Sequence, residues 1–265
     1  MILVLDVGNS QIFCGVFEAE KLVVQFRYAS TARGSSDEIG VFLRGALREN
    51  GVAPEDIETI AISSVVPELN YTLWSCCQKY FDLEPMVLRP GLKTGLKIDY
   101  KDPKEVGSDR IADAMGAVKM FPDRNLIVID FGTATNFDIV GNNLEYLGGI
   151  IAPGINLSLK ALSDFAAKLP KIIPSKQKNV IGKTTKEAMN SGIYFGYISL
   201  INGLNKRIMD EHGEGMKIIA TGGLAEIFAD EISGLKKIEK NLTLEGLNLV
   251  YQNLNNSKLI NDDAK

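Results

Sequence analysis

Cysteine, histidine and tryptophan are scarce in this chain: three Cys, one His and one Trp stand among 265 residues. Cys14, Cys76 and Cys77 do not make a disulfide framework, and beside a single histidine they lack the spacing of a zinc site. Buried thiols in a reducing compartment are the expectation. His212 falls in Asp210-Glu211-His212-Gly213-Glu214, which reads as a helix end where an imidazole meets the dipole. Base chemistry then has to come from a carboxylate. Excess positive charge is missing too. Lys and Arg number 29 against 33 Asp and Glu, a net charge of −4, so neither nucleic acid nor an anionic membrane surface is an expected partner. No apolar run reaches membrane-spanning length, and Asp6 interrupts the first strand too early for a signal peptide. A cytoplasmic protein is expected. With 45 % hydrophobic and 23 % charged residues, the rest is ordinary globular composition, long enough for two domains.

What is present is a short pattern written twice. Ile2 to Leu5 is continuously apolar, as in a strand buried on both faces, and Asp6-Val7-Gly8-Asn9-Ser10 breaks it. Gly8 permits positive φ and Asn9 tolerates it, so the turn is expected to aim backbone N–H groups at a phosphate. Asp6 is placed to hold a hydrated Mg²⁺ beside that phosphate. Ile12 to Phe17 then returns as a second strand. Leu126 to Val140 repeats the order, with Asp130 matching Asp6 and Gly132 matching Gly8. One copy alone is an ordinary β-hairpin. Two copies in two halves imply a duplicated domain, with the two loops facing each other across a nucleotide cleft.

The first half reads as three strands (the third over Lys21 to Tyr28), a polar loop from Thr31 to Ser36, a helix, a strand over Ile57 to Val66, a helix from Pro67 to about Phe81, and a short strand at Pro85 to Leu88. A loop from Arg89 to Lys104 leads into Val106-Gly107-Ser108-Asp109-Arg110 and a helix to about Met120. The domain boundary is expected there, giving 1–118 and 119–265. The second half reads as a hairpin, a third strand, a helix from Gly154 to about Leu169, and a basic proline-punctuated loop. Thr184-Thr185-Lys186-Glu187 then fits a capping box for a long helix, with Thr184 as N-cap and the Thr185 hydroxyl free. A strand over Met216 to Ala220 ends in Thr221-Gly222-Gly223. A closing helix carries Leu244, Leu247, Val250 and Tyr251, and the chain from about Asn255 is expected to fray.

These motifs together resemble the type III pantothenate kinases of the acetate and sugar kinase, Hsp70 and actin superfamily. The resemblance runs from Leu3 to about Tyr251. It rests on Asp6-Val7-Gly8-Asn9-Ser10, Ser63-Ser64-Val65-Val66-Pro67, Gly107-Ser108-Asp109-Arg110, Asp130-Phe131-Gly132-Thr133-Ala134-Thr135, Gly148 to Gly154, Gly182-Lys183-Thr184-Thr185 and Thr221-Gly222-Gly223. Ser10 stands where the family usually has threonine, and Ser108 where it usually has alanine. Ser10 keeps a hydroxyl for phosphate, and Ser108 is read as a helix cap. The resemblance implies an α/β fold of two duplicated ribonuclease H-like domains and ATP-dependent phosphorylation of pantothenate at its terminal hydroxyl, the first step towards coenzyme A. It further implies a homodimer, Mg²⁺, and a monovalent cation, K⁺ or NH₄⁺.

It also implies roles for particular residues. Asp109 is the proton acceptor. Asp6, Val7, Gly8, Asn9, Ser10, Gln11, Ile12 and Phe13 contact ATP, as do Thr133, Gly222 and Gly223. Tyr100, Gly107, Ser108, Asp109, Arg110 and Thr185 meet pantothenate. Asp6 holds Mg²⁺, and Asp130 the monovalent cation. Each role has a plainer counterpart. Asp6 is then an Asx-turn residue, Asp109 a helix N-terminal charge, Arg110 a surface ion pair with Asp113 or Glu105, and Tyr100 loop packing. A helix N-terminus favours the ionised carboxyl, so Asp109 is expected to be a weak base that mostly orients the hydroxyl and accepts its proton late. Two other functions fit the same residues: a kinase of this superfamily with another acceptor, such as a sugar, or an accessory regulator that kept the fold without catalysis. Intact Asp6, Asp109, Asp130 and Arg110 weigh against the second.

Overall fold

The computed structural model describes residues 1–30, 34–89 and 91–262, with side chains to 256. The chain divides into two units, one of Met1–Met120 joined by the chain from Asn241 onward, the other of Phe121–Lys240.

In the first unit, β1 (Ile2–Val7), β2 (Gln11–Glu18), β3 (Lys21–Ala29), β4 (Thr59–Ser64) and β5 (Met86–Leu88) form one sheet in the order β3-β2-β1-β4-β5. The apolar run of β1 fits its central place, antiparallel to β2 and parallel to β4. β3 alternates exposed and half-buried residues because it is an edge. Helix α1 (Ser36–Glu49) starts at a capping box, with Glu38 N donating to Ser35 Oγ at 3.1 Å and Ser35 N donating to Glu38 Oε2 at 2.7 Å. Pro67 occupies the first turn of α2 (Pro67–Phe81), as expected. Ile39, Leu43 and Leu47 of α1 and Leu69, Leu73, Cys76 and Cys77 of α2 join Leu3, Leu5 and Ile62 in one core. The three cysteines are buried and free. Burial pushes the Cys76 thiol up to about 12, an unreactive state. Thr31, Ala32 and Arg33, within the expected polar loop, lie outside the described residues. The loop after Arg89 carries a two-residue strand, β6 (Lys97–Ile98), before α3 (Ser108–Met120).

In the second unit, β7 (Leu126–Phe131), β8 (Ala134–Gly141) and β9 (Glu145–Pro153) form an antiparallel meander. Helix α4 (Ile155–Phe165) follows with Gly154 as N-cap; it stops short of Leu169 because Ala166 is already extended. Helix α5 (Thr185–His212) has the expected capping box, with Glu187 N donating to Thr184 Oγ1 at 3.2 Å, and His212 is its last residue. β10 (Lys217–Thr221) runs parallel to β7. The short helix α6 (Ala225–Phe228) leads to β11 (Leu235–Ile238), parallel to β10. The order β9-β8-β7-β10-β11 repeats the strand order and the parallel and antiparallel pattern of the first unit.

The closing helix α7 (Leu242–Asp262) groups with the first unit rather than with 119–240. Its Gly246 lies against the backbone of Ala112 and Gly116 on α3, and a methyl on Gly116 would stand 2.6 Å from the Leu242 carbonyl oxygen. Thr243 Oγ1 donates to Asp113 Oδ1 at 2.7 Å, and Asn248 Nδ2 donates to the Ala19 carbonyl at 3.0 Å. Leu244, Leu247 and Val250, read as an apolar stripe, are fully buried. The backbone remains helical past Asn255, where fraying was expected.

Candidate active site

Strand pairing assembles the first part of the site. Asp6, at the end of β1, lies opposite Phe13 on β2 and Ser63 on β4, and Phe13 lies opposite Arg27 on β3. Directly opposed residues point to the same face of a sheet. Arg27, Phe13, Asp6 and Ser63 therefore form one transverse row, with neighbouring strands roughly 4.8 Å apart. The turn beyond Asp6 departs from expectation. Neither Gly8 nor Asn9 adopts positive φ. Gly8 N–H donates to the Gln11 carbonyl at 3.0 Å, so it closes the hairpin instead of facing solvent. Asn9, Ser10 and Gln11 are exposed, Val7 and Ile12 are buried, and Phe13 is half-buried.

Ser63 links this row to Asp109. Its hydroxyl donates to Ser108 Oγ at 3.0 Å; Ser108 Oγ also accepts from Ser64 N at 3.0 Å and lies 3.1 Å from the Ser64 carbonyl. Ser108 is thus a buried tie between β4 and the first residue of α3, not the helix cap expected of it. Asp109 follows it, with Oδ1 accepting from Arg110 N at 2.8 Å. A methyl on Gly107 would stand 2.5 Å from that oxygen. Burial pushes the Asp109 carboxyl above the usual range, outweighing the opposing pull of the Arg110 N–H and guanidinium. The expectation of a carboxyl depressed by the helix N-terminus is therefore corrected: desolvation exceeds the local dipole. Arg110 is 7 % exposed, so its guanidinium lies within the fold and not on the surface. Tyr100 is half-buried in the loop before this motif.

In the second unit Asp130 ends β7, opposite Asn136 on β8 and Thr221 on β10. Glycines lie close against both its carboxylate oxygens. A methyl on Gly132 would stand 2.9 Å from Oδ2, and one on Gly222 would stand 2.7 Å from Oδ1 and from the Phe131 backbone. Gly222 also has φ +89°. Its need for glycine is met by β7 itself, before any adenosine is considered, whereas Gly223 has open space. Thr133 is exposed in the turn. Thr185, at the first position of α5, lines an apolar groove of about 380 Å³ with Leu162, Leu169, Ala188, Met189, Gly192 and Ile193. Among the described residues, no three His, Cys, Asp or Glu side chains gather as metal ligands.

Arg27 and Ser63 were missed as site residues by sequence reading. Their signal is strand register, which places them opposite Phe13 and Asp6 only once the pairing is known.

A Baf family protein from Campylobacter jejuni is 22 % identical, with a TM-score of 0.61 over 96 % of this chain and 99 % of that one. A ROK hexokinase from Thermus thermophilus is 12 % identical, with a TM-score of 0.51 over 96 % of this chain and 99 % of that one. These likenesses show that the chain shares its α/β fold, with the strand order repeated in each unit, with these proteins. The sequence profile of the type III pantothenate kinases matches residues 2–207. A type III pantothenate kinase from Legionella pneumophila (strain Corby) is 46 % identical over 94 % of this chain and 97 % of its own length. The chain belongs to the type III pantothenate kinase family.

Proposed function

We propose that this protein transfers the γ-phosphoryl group of ATP to the terminal hydroxyl of pantothenate, opening coenzyme A synthesis. The observation that carries the mechanism is Asp109: a carboxyl raised by burial, at the start of α3, fixed by Ser108 and Ser63 to the strand beside Asp6. Asp109 accepts the proton of the attacking hydroxyl. Burial raises its pKa, which makes it a better acceptor than an ordinary aspartate. Gly107, Ser108, Arg110, Tyr100 and Thr185 bind pantothenate. The Arg110 guanidinium meets the substrate carboxylate or the transferring phosphate. The turn from Asp6 to Phe13 and the Thr133 hydroxyl bind the phosphates, and Gly222 and Gly223 take the adenosine end. Phosphoryl transfer asks mainly for positioning and charge neutralisation, which such a set supplies.

Asp6 would hold Mg²⁺, which neutralises phosphate charge. One carboxylate suits an ion that keeps most of its shell as water and substrate oxygen. Asp130 would hold the monovalent cation, K⁺ or NH₄⁺; its carboxylate at the end of β7, bordered by the backbones of Gly132 and Gly222, supports this. A homodimer is supported by exposed apolar side chains in the second unit, among them Phe165 at 92 % and Ile173 at 85 %. A cytoplasmic site of action agrees with its substrates, and no described helix is long and apolar enough to cross a membrane.

A coupled ADP-release assay with ATP, Mg²⁺, K⁺ and pantothenate tests the reading. Turnover with pantothenate, lost in Asp109→Asn, supports it. Turnover with a sugar but not with pantothenate overturns it in favour of another kinase, and no turnover with any acceptor overturns it in favour of a regulator.

A further inference from the structure

Arg27 is the end of the row that runs through Phe13 and Asp6 to Ser63, and nothing in the mechanism above uses it. Its guanidinium carbon lies 3.8 Å from the centroid of the Phe13 ring. The side chain has therefore crossed from its own strand, β3, onto β2, one strand from Asp6. Among the described residues no carboxylate forms a salt bridge with it. The Ser30 N–H donates to the Ser10 carbonyl at 3.0 Å, so the end of β3 is tied to the turn that binds phosphate. Asp6 and Arg27 both act on the buried Cys14 thiol, the first raising its pKa and the second lowering it, which agrees with two opposite charges beside the same segment.

An arginine laid flat on an aromatic ring keeps its edge N–H groups directed outward, and these match phosphate oxygens in pairs. We propose that Arg27, braced by Phe13, is a further binding residue for the nucleotide polyphosphate, adding the fixed positive charge that the Asp6 turn lacks. Lysine would supply charge without the planar brace. The second unit sharpens the point: the corresponding row there is Ile151, Asn136, Asp130 and Thr221, with neither the cation nor the ring. The assignment rests on the kinase reading, but only on its nucleotide half.

The test is steady-state kinetics of wild type, Arg27→Gln, Arg27→Lys, Phe13→Leu and Gln25→Ala, with Mg-ATP affinity measured separately by calorimetry without acceptor. Gln25 is on the same face of β3, two residues from Arg27, and serves as the control for strand damage. Arg27→Gln should raise the KM and Kd for Mg-ATP by about 10- to 100-fold, the range for a charge-assisted contact, and leave the KM for pantothenate unchanged. Arg27→Lys should recover part of the loss and Phe13→Leu should show part of it. Added salt should weaken ATP binding less in Arg27→Gln than in wild type. An unchanged Kd in Arg27→Gln, or an equal loss in Gln25→Ala, overturns the assignment. If wild type binds ATP through Arg27 but does not phosphorylate pantothenate, the substrate reading fails and this assignment stands.

Discussion

The two units carry the same order of five strands with an aspartate near the end of the central strand, yet they surround that aspartate differently. Beside Asp6 stands Ser63, whose hydroxyl is bound to Ser108 and so to the helix that bears Asp109. Beside Asp130 stands Thr221, followed at once by Gly222, and glycines border both carboxylate oxygens. One copy of the scaffold has set a hydroxyl tie beside its aspartate, leading to the helix that bears Asp109. The other has set glycine backbone against both carboxylate oxygens. A common backbone thus yields two different surroundings for its aspartate, set by the residue that pairs with the aspartate and the one that follows it.

Each feature of that contrast can be broken separately. Asp109→Asn should lower kcat by about 10²–10⁴-fold, the range for a general acid–base group, with little change in ATP affinity. A comparable kcat loss from Asp130→Asn at saturating cation would erase the distinction between the halves. Gly222→Ala should destabilise the second unit by about 1–3 kcal/mol, since it combines a left-handed φ with a clash against Phe131; thermal unfolding measures this. Its dependence on K⁺ should also weaken, read as a higher cation concentration for half-maximal activity. The pH dependence comes next. The raised Asp109 carboxyl should place the acid limb of kcat/KM above the ordinary aspartate range. Because the folded state binds this proton more readily than the unfolded chain, stability should fall as pH rises through the window between the two pKa values. Asp109→Asn should therefore be more stable than wild type at neutral pH, and the gain should vanish in acid. Ser108→Ala should have the smallest effect, costing about 1 kcal/mol of stability and a modest part of kcat. The same substitution should shift the acid limb, because the helix start moves relative to β4; an unshifted limb would reduce Ser108 to packing.

Both Asp-x-Gly hairpins, the Thr184–Glu187 capping box and the Pro67 helix start were legible in the sequence, because each depends on residues within a few positions of one another. What depended on distant partners was not. The periodicity of α7 showed that Leu244, Leu247 and Val250 are buried, but not that Gly246 presses on Ala112 of α3. Leu235 to Ile238 is too short to reveal alternation, so β11 went unread. At Asp109 the helix position is visible in the sequence and the desolvation is not, which reversed the direction of its pKa. The turn at Gly8 needed no positive φ because its N–H closes on Gln11. Ser63 and Arg27 became site candidates only through strand register.

The return of α7 to the first unit has a consequence for how the protein is made. The first unit is written in two pieces, and the piece from Asn241 onward leaves the ribosome only after the whole second unit. The second unit is one uninterrupted span and is fully translated earlier, although it starts later. Chains truncated before α7 should retain a complete second unit while leaving Ala112 and Gly116 of α3 bare to water, and early termination would spoil first the half that bears Asp109.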